Sequence, residues 1–591
     1  MHISVSFSQT DTATSEFYKN LHETSGKHKW TRWLFNISLR STVPVVDDST
    51  EITIKKAPKL SKNPFYQYRG KPIQTVRVIV LDPFGGSVNQ FYGTRPDFLE
   101  RVGNRLHIAT KEKVVRNLLL FKEGSTADPL RLSESERLLR LSPSIFDARI
   151  YIFKVGKTDS LDVLIVVQDK WSLISWSAFN LNAPDIGLRE NNFLGIGHQY
   201  QQQIVWNLND PYPAFHGRYG VYNFGKSYIQ GNVYYTASPS LNLYGGSLNR
   251  PFYSPITVWA GGVGAMRSNN IVPATAEAPS YPVNYTQTEV WAARSFQVKQ
   301  HGVSLVDARS SRFIIGAGIY TTTYNLRPAA SLDYLNEQLF LINFGFSRRT
   351  YYRDRYLFRY GANEDIPEGI ALEFIEGLQV RESNSALYYS GVKLSAGKHI
   401  DQLGYFSTSL GMGTSLDVKS IYSGVLNFGV FYFTDLWNVN RWKFRQFMRF
   451  NLIQGVNRAP NEQLNINGTQ MYGFSSEILA APSKAVLNLE FLMYTPYKWL
   501  GFQFAPVLLA GFATVGNDIS MLYKPTVYQA YALGILIRNE YLIASTFQLS
   551  IGLYPFMPGS NDYTIKGNPI SGYNVRATDY FITKPERIAY Q

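Results

Sequence analysis

The chain lacks cysteine, has few charged residues and contains no long hydrophobic run. With no Cys among its 591 residues, it can form no disulfide framework and no zinc or iron–sulfur site with thiolate ligands. Charged residues make up only 17% of the sequence, against about 25% in ordinary globular chains. The longest apolar stretch, residues 504–515, is shorter than the roughly 18 residues that a transmembrane helix needs. The sequence therefore excludes a helical membrane protein.

Aromatic residues and glycine are abundant instead. Aromatic residues form 15% of the chain, which contains 40 Tyr and 45 Gly. A membrane β-barrel is marked by alternating segments of about ten residues and by aromatic girdles, not by long apolar blocks, so this composition favours a barrel. The net charge of +14 has two interpretations: contact with phosphate-rich lipopolysaccharide, or scattered surface lysines. Salt sensitivity would separate them, because phosphate contacts are screened.

The first of three parts is an N-terminal extension, residues 1–70. Trp30, Trp33, Leu34 and Ile37 follow the i, i+3, i+4, i+7 spacing of an amphipathic helix. This helix either rests on anionic lipid head groups or packs against the following domain. Residues 1–9 are too short for a complete signal peptide, and whether they are the remnant of one stays open.

The second part, residues 71–170, predicts a small α/β domain with the element order β-α-α-β-β. We expect a strand at 74–81, a helix at 111–120, a second helix after a turn-rich loop, and strands at 148–155 and 161–167. Thr110 is the expected cap of the first helix. Ser133 and Glu136 have the spacing of a capping box, which predicts that they open the second helix.

The third part, residues 171–591, predicts an all-β transmembrane barrel of about 16 antiparallel strands. Segments such as 441–450 and 544–554 alternate between two kinds of residue. One face of the first segment is a basic row formed by Arg441, Lys443, Arg445 and Arg449. Such a row is costly against lipid but compatible with a water-filled lumen. Because an open sheet of this size would leave unpaired edges, we expect the sheet to close.

Four stretches carry a resemblance to a known family. They are LLLFKEGSTADPLRLSESERLLR (118–140), VVQDKWSL (166–173), ENNFLGIGHQY (190–200), and the pair GTQMYGF (468–474) and GFATVGN (511–517). Together they resemble the outer-membrane assembly-factor superfamily of BamA-, TamA- and Sam-type insertases and two-partner secretion pores. The resemblance implies a single POTRA domain at 71–170, followed by a surface-antigen-type barrel at 171–591. The POTRA motif is carried by Gly124, Glu136, Leu139 and Arg140.

The resemblance also implies a loop that folds into the barrel. The loop motif is Met471, Tyr472, Gly473 and Phe474, and the motif of the strand facing it is Phe512, Thr514 and Gly516. The family has an Arg at the position of Tyr472 and an Asp at that of Thr514, so both partners of an ion pair are absent together. Losing only one would strand a buried charge. We expect the loop to stay inward, held by a hydroxyl hydrogen bond between Tyr472 and Thr514.

For function, the resemblance implies a factor that inserts other barrels into the outer membrane, with the POTRA domain in the periplasm. First and last strands, expected near 171–181 and 576–583, would meet in a weak lateral seam. A client strand would pair with the opened seam by β-augmentation. We find no paired nucleophile and base and no metal-binding spacing among the eight His, so the sequence predicts neither an enzyme, nor a cofactor, nor a metal site.

Two alternatives stay open: a pore for one exported polypeptide, guided by the basic row, and a structural subunit that has lost insertase activity. Expected partners are outer-membrane lipids or lipopolysaccharide, unfolded outer-membrane proteins or an exported polypeptide, and lipoproteins or other outer-membrane subunits. The basic aromatic run at 346–360 could stack on nucleic-acid bases. In a barrel it is expected to form a lumen row or to meet lipid phosphates, so no nucleic-acid partner is predicted.

Overall fold

The computed structural model places a small α/β domain before a large β-barrel. It describes residues 63–84, 87–89, 101, 104–155, 159–178, 184–208, 210–272, 279–298, 310–328, 334–357, 364–382, 386–417, 420–460, 462–499, 502–523, 526–539, 547–559, 564–567 and 579–590. The amphipathic helix predicted around residues 30–37 and the possible signal remnant lie outside the described residues.

The α/β domain has the predicted order of elements. It consists of β1 (Ile73–Leu81), α1 (Glu112–Asn117), α2 (Pro129–Leu141), β2 (Ile145–Lys154) and β3 (Leu161–Asp169). The sheet order is β1-β3-β2, with β1 parallel and β2 antiparallel to β3. Val115, Leu132, Leu139 and Ile165 are fully buried between the helices and the sheet. Among the described residues, no helix is long and apolar enough to cross a membrane.

The helix starts differ from the predicted ones. Helix α2 begins after Asp128, whose carboxylate accepts a hydrogen bond from the backbone N–H of Leu130 at 3.0 Å. A proline at the first helical position needs no hydrogen-bond partner there, so Asp128 and the proline start the helix together. The predicted capping box is therefore wrong, because Ser133 and Glu136 lie inside the helix. Thr110 is not the cap of α1 either, since α1 starts after a lysine with no side-chain cap.

The barrel strands follow one another around a ring in which the last strand neighbours the first. They are β4 (Leu173–Ala178), β5 (Asp185–Phe193), β6 (His198–Val205), β7 (Ala214–Val221), β8 (Gln230–Ala237), β9 (Leu241–Arg250), β10 (Trp259–Val272), β11 (Tyr281–Gln297), β12 (Ser311–Leu326), β13 (Glu337–Asp354), β14 (Glu364–Arg381), β15 (Ala386–Ile400), β16 (Gly404–Leu416), β17 (Ile421–Phe433), β18 (Trp437–Val439), β19 (Trp442–Val456), β20 (Ser483–Tyr494), β21 (Lys498–Trp499), β22 (Phe502–Gly516), β23 (Tyr528–Asn539), β24 (Phe547–Tyr554) and β25 (Thr564–Gly567).

The predicted fold class is confirmed, with more strands than the expected 16. Strands β18 and β21 are short pieces within hairpins, because β17 pairs directly with β19 and β20 with β22, so the described residues form twenty strands around the barrel. The extra strands were hard to count from alternation. A strand such as β9 (LNLYGGSLNR) has glycines where a polar or apolar side chain would mark its two faces.

The two faces of the barrel wall differ in chemistry. On β13, Phe340, Ile342 and Phe344 are exposed on the outer face, while Asn343 and Ser347 between and beyond them are buried on the inner face. The same outward apolar pattern recurs on β24 at Leu549, Ile551 and Leu553. An apolar outer face opposite a polar inner face is the arrangement of a barrel that spans a lipid bilayer.

Candidate functional site

The barrel wall has shorter strands near the point where the ring closes. Next to the closure, strands β5 to β9 are described throughout and are 8 to 10 residues long. In the opposite wall, β13 and β14 are eighteen residues long and are joined through eighteen residue pairs. The described residues of β4 and β5 form six pairs, and those of β24 and β25 form four. Strand β4 lies within the predicted first strand, but the predicted last strand near 576–583 is wrong. The last described strand is β25, and residues 579–583 lie inside the barrel.

The predicted inward loop, residues 457–482, connects β19 to β20. Met471 and Phe474 are fully buried and pack with Ala513 and Tyr554 of the wall. Gly473 has a positive φ of 82°, which glycine adopts without strain, and its carbonyl oxygen accepts a hydrogen bond from a lysine of β25 at 3.2 Å. The loop is therefore folded into the lumen and reaches the last strand of the wall.

The loop is held by a different partner from the one expected. The hydroxyl of Tyr472 donates a hydrogen bond to Oε1 of Glu490 on β20 at 3.0 Å, and the hydroxyl of Tyr554 donates to the backbone oxygen of Tyr472 at 2.6 Å. The buried hydroxyl of Thr514 has no hydrogen-bond partner among the described residues, Tyr472 included. The expected Tyr472–Thr514 bond is therefore wrong.

The error concerns which face of strand β22 points into the lumen. Side chains alternate along a strand, so a shift of one position moves a residue to the opposite face. Gly511 and Ala513 of β22 face the loop, and a Cβ at Gly511 would lie 2.9 Å from the Met471 side chain. Phe512, Thr514 and Gly516 belong to the other face. Glu490 is the lone carboxylate of β20 (SKAVLNLEFLMY), and this was the signal that could have identified it.

The structure places only part of the predicted basic row on the lumen face of β19. Arg445 is 0% exposed and forms an ion pair at 3.0 Å with Asp354, which lies at the end of β13. These strands are not neighbours in the ring, so the pair crosses the lumen. Lys443 donates a hydrogen bond to the Tyr356 hydroxyl at 3.1 Å. Arg449 lies half-buried on the same face of β19, whereas Arg441 is exposed in the turn before the strand.

An extended stretch, residues 579–590, lies in the lumen, and we call it the lumen segment. Asp579 forms an ion pair with Arg349 at 2.7 Å, near the rim where β4 begins, which we call the proximal rim. At its other end, the Tyr590 hydroxyl donates a hydrogen bond at 2.7 Å to the backbone oxygen of Pro482, the last residue of the inward loop. The lumen segment thus runs from one end of the barrel towards the other, a feature that no sequence motif indicated.

The α/β domain is fixed to the proximal rim by buried ion pairs of α2. Arg140 binds the Asp365 carboxylate of β14 at 2.8 Å and Glu136 at 2.7 Å, and Glu136 also binds Arg353 of β13 at 2.7 Å. Burial alone would lower the pKa of Arg140, but its two carboxylate partners outweigh that effect and hold the pKa above its ordinary value. Two POTRA-motif residues therefore carry the contact between domain and barrel.

The other two residues of the motif act within the domain. Leu139 belongs to the domain core, and Gly124 turns the chain with a positive φ of 77°.

The ENNFLGIG turn between β5 and β6 forms a second contact with the domain. The side chain of Asn192 donates to the Thr110 hydroxyl at 2.9 Å and accepts from the backbone N–H of Gly197 at 2.9 Å. The carbonyl oxygen of Gly195 accepts from the backbone N–H of Lys111 at 2.9 Å. A Cβ at Gly195 would lie 2.4 Å from the oxygen of Ala109, so the close approach requires glycine.

The described residues contain histidine–carboxylate pairs but no larger ligand cluster. His107 Nε2 lies 2.8 Å from Asp169, and His399 Nε2 lies 2.6 Å from Asp435. Over the described ranges, no group of three or more His, Asp or Glu side chains could hold a metal ion. The described residues thus provide a wall with short strands near its closure, an inward loop and a lumen that binds an extended chain.

No protein-family model matches the chain, and no curated protein matches it by sequence. Solved structures do show similarity. For BamA from Haemophilus ducreyi lacking POTRA domains 1–3, the TM-score is 0.32 at 10% identity, covering 84% of this chain and 83% of that one. For CdiB from Acinetobacter baumannii, the TM-score is 0.37 at 11% identity, covering 96% of this chain and 98% of that one. For CdiB from Escherichia coli, the TM-score is 0.39 at 10% identity, covering 95% of this chain and 98% of that one. At these scores no residue role is transferred from those proteins.

Proposed function

We propose that the protein is an outer-membrane assembly factor of the superfamily its motifs resemble, inserting β-barrel clients through the seam between β25 and β4. Its α/β domain is a POTRA domain in the periplasm, docked on the proximal rim. The apolar outer face supports a place in the bilayer. The observation that carries the proposal is the contrast in strand length, 8 to 10 residues in β5 to β9 near the seam against eighteen in β13 and β14 of the opposite wall.

The short strands give the seam its physical basis. A strand needs about 9–11 residues to cross a bilayer, and the strands β6, β7 and β8 near the seam have eight residues each. Unpaired backbone groups in lipid cost several kcal/mol each, so a seam in this part of the wall, where the strands are short, is the least costly place to open. A client strand that adds to the opened edge satisfies those groups again.

The same geometry supports three kinds of partner. An unfolded outer-membrane protein supplies the strand that pairs with the seam, and the docked POTRA domain lies beside the proximal mouth where such a chain arrives. Lipid or lipopolysaccharide phosphates are matched by the net charge of +14. Accessory lipoproteins or other outer-membrane subunits would bind the domain surface that faces away from the barrel.

A second candidate function is favoured by one observation. The lumen holds an extended stretch of polypeptide, residues 579–590, bound along its wall. A lumen that accommodates one extended chain is compatible with a pore for an exported polypeptide. In that function the seam would stay closed and the lumen segment would leave.

The test is a folding assay with the full chain in vesicles and an unfolded small barrel as client, followed by gel mobility. Successive N–H groups of a strand point to opposite neighbours, so proline at Ile565 or at Lys566 removes one that faces the seam. We expect the chain to accelerate client folding, one proline variant to lose the acceleration, and Ile565→Ala and Lys566→Ala to retain it. A correctly folded, heat-modifiable barrel that gives no acceleration contradicts the proposal and leaves the pore or a structural subunit.

A further inference from the structure

The lumen segment is bound along its whole length and forms no strand pairing in the described part of the chain. At roughly 3.3 Å per residue, twelve extended residues reach about 40 Å, which exceeds the roughly 30 Å of the hydrocarbon core. A barrel of twenty strands encloses more space than its own side chains fill, and large barrels hold either water or a plug. The segment occupies this space.

Side chains of the wall bind the backbone of the segment directly. The bonds are Ser347 Oγ to the oxygen of Tyr580 at 2.7 Å, Asn343 Nδ2 to the oxygen of Thr583 at 3.1 Å, Asn427 Nδ2 to the oxygen of Ala589 at 2.6 Å, and the N–H of Ile588 to the Tyr389 hydroxyl at 2.7 Å. Contacts to backbone atoms do not depend on sequence. The wall therefore recognises the extended conformation of a peptide as well as particular side chains.

Glycines of the wall lie where the large side chains of the segment approach. A Cβ at Gly397 would lie 1.8 Å from the Tyr580 hydroxyl, one at Gly345 would lie 2.7 Å from Ile582, and one at Gly413 would lie 2.8 Å from Ile588. Further along, Gly455 would meet Tyr590 at 2.8 Å and Gly318 would meet Pro585 at 3.2 Å. Glycine in a strand often marks a place where another chain comes close. These five glycines, together with the side chains that bind the backbone of the segment, define a groove along the lumen wall, which we call the track.

The charges of the track complement those of the segment. Lys584 forms an ion pair with Glu289 at 2.9 Å, and Arg587 lies 3.8 Å from Glu337. At the first position of the segment the signs of the charges are reversed, because Asp579 of the segment forms its ion pair with Arg349 of the wall. Between the two basic residues, Glu586 of the segment itself forms an ion pair with Lys584 at 3.0 Å. The track thus fits an extended peptide with an aromatic side chain near each end and, between them, two basic residues and one acidic residue.

We propose that the wall of the lumen is a binding track for an extended peptide of this chemistry, and that residues 579–590 occupy it as a removable plug. Its bonds to the barrel are made by side chains and not by sheet pairing, so the segment can leave while the barrel stays intact. This inference does not rest on the seam, since it concerns the lumen whether or not the wall opens.

A disulfide lock tests the proposal in the full chain, which has no other cysteine. A Cβ at Gly411 would lie 3.2 Å from Cγ2 of Ile588, so the pair Gly411→Cys and Ile588→Cys brings the new sulfur and carbon atoms within disulfide reach. The matched controls are the two single variants. The probe is a fluorescent synthetic peptide of residues 579–590, and a scrambled peptide controls for charge and composition.

We expect the oxidised double variant to bind no peptide and to keep its lowest conductance in a planar bilayer. After reduction, we expect peptide binding at least tenfold above the scrambled sequence, together with channel openings that the peptide shortens. Equal binding and conductance in the oxidised and reduced states would overturn the proposal and make the segment a permanent part of the core. Equal binding of the scrambled peptide would also overturn it, because the track would then lack selectivity.

Discussion

The barrel has two unlike sides. From β10 to β23, strands of the continuous wall are 12 to 18 residues long, and their inner faces are tied to the loop and the lumen segment. From β5 to β9, which are described throughout, the strands are 8 to 10 residues long. Strand length sets how many backbone groups each neighbour satisfies. The long side is therefore a rigid frame, and the short side is where the wall can open at low cost.

The largest expected effect separates these two sides by proline substitution. Ile342→Pro, in the middle of β13, removes a ladder hydrogen bond and disrupts pairing with both neighbours. We expect it to abolish folding, measured as loss of the heat-modifiable band on gels. Ile565→Pro in β25 is expected to fold. If both variants fold equally well, the proposed difference between frame and seam is wrong.

The next effect concerns the ion pair that crosses the lumen. Arg445→Ala leaves Asp354 without its buried partner, and breaking a buried pair costs about 3–5 kcal/mol. We expect a matching loss in the free energy of unfolding, measured with urea on the vesicle-bound barrel. Arg441→Ala, in the exposed turn, is the control and is expected to leave stability unchanged. An equal loss in both variants would contradict the cross-lumen role of Arg445.

A smaller effect is expected at the contact between domain and barrel. Arg140→Ala removes the ion pair with Asp365, and hydrogen bonds to charged groups contribute about 1.5–3 kcal/mol. We expect faster proteolytic cleavage between domain and barrel, with the barrel still heat-modifiable. Arg131→Ala is the control, because Arg131 lies on the same helix but is exposed. Unchanged cleavage in Arg140→Ala would mean that other contacts hold the domain.

The smallest effect distinguishes the two residues once expected to touch. Tyr472→Phe removes the hydroxyl that binds Glu490, for a loss of about 1 kcal/mol in the free energy of unfolding. Thr514→Val keeps the side-chain shape and removes a hydroxyl with no partner among the described residues, so no loss is expected. Urea unfolding of both variants checks the order. If Thr514→Val lost more free energy of unfolding than Tyr472→Phe, the result would contradict the contact with Glu490 and support the contact between Tyr472 and Thr514 that the sequence predicted.

The sequence allowed the barrel, the order of the α/β elements and the inward loop to be predicted, because each has a local pattern. The partner of Tyr472 could not be found in this way, since a one-residue shift along β22 reverses which side chains face the lumen. The prediction of the last strand near 576–583 was wrong for a related reason. Tyr580 and Ile582 alternate as in a strand, and an extended chain shows the same alternation whether it pairs with a sheet or lies against one.

The seam is tested most directly by photo-crosslinking during client folding. A photoreactive residue replaces Ile565 on β25 in one variant and Ile342 on β13 in another, and both positions are exposed on the outer face, at 71% and 51%. If clients enter through the seam, the unfolded client crosslinks at position 565 and not at position 342. Equal capture at both positions, or capture only at position 342, would contradict insertion at the seam.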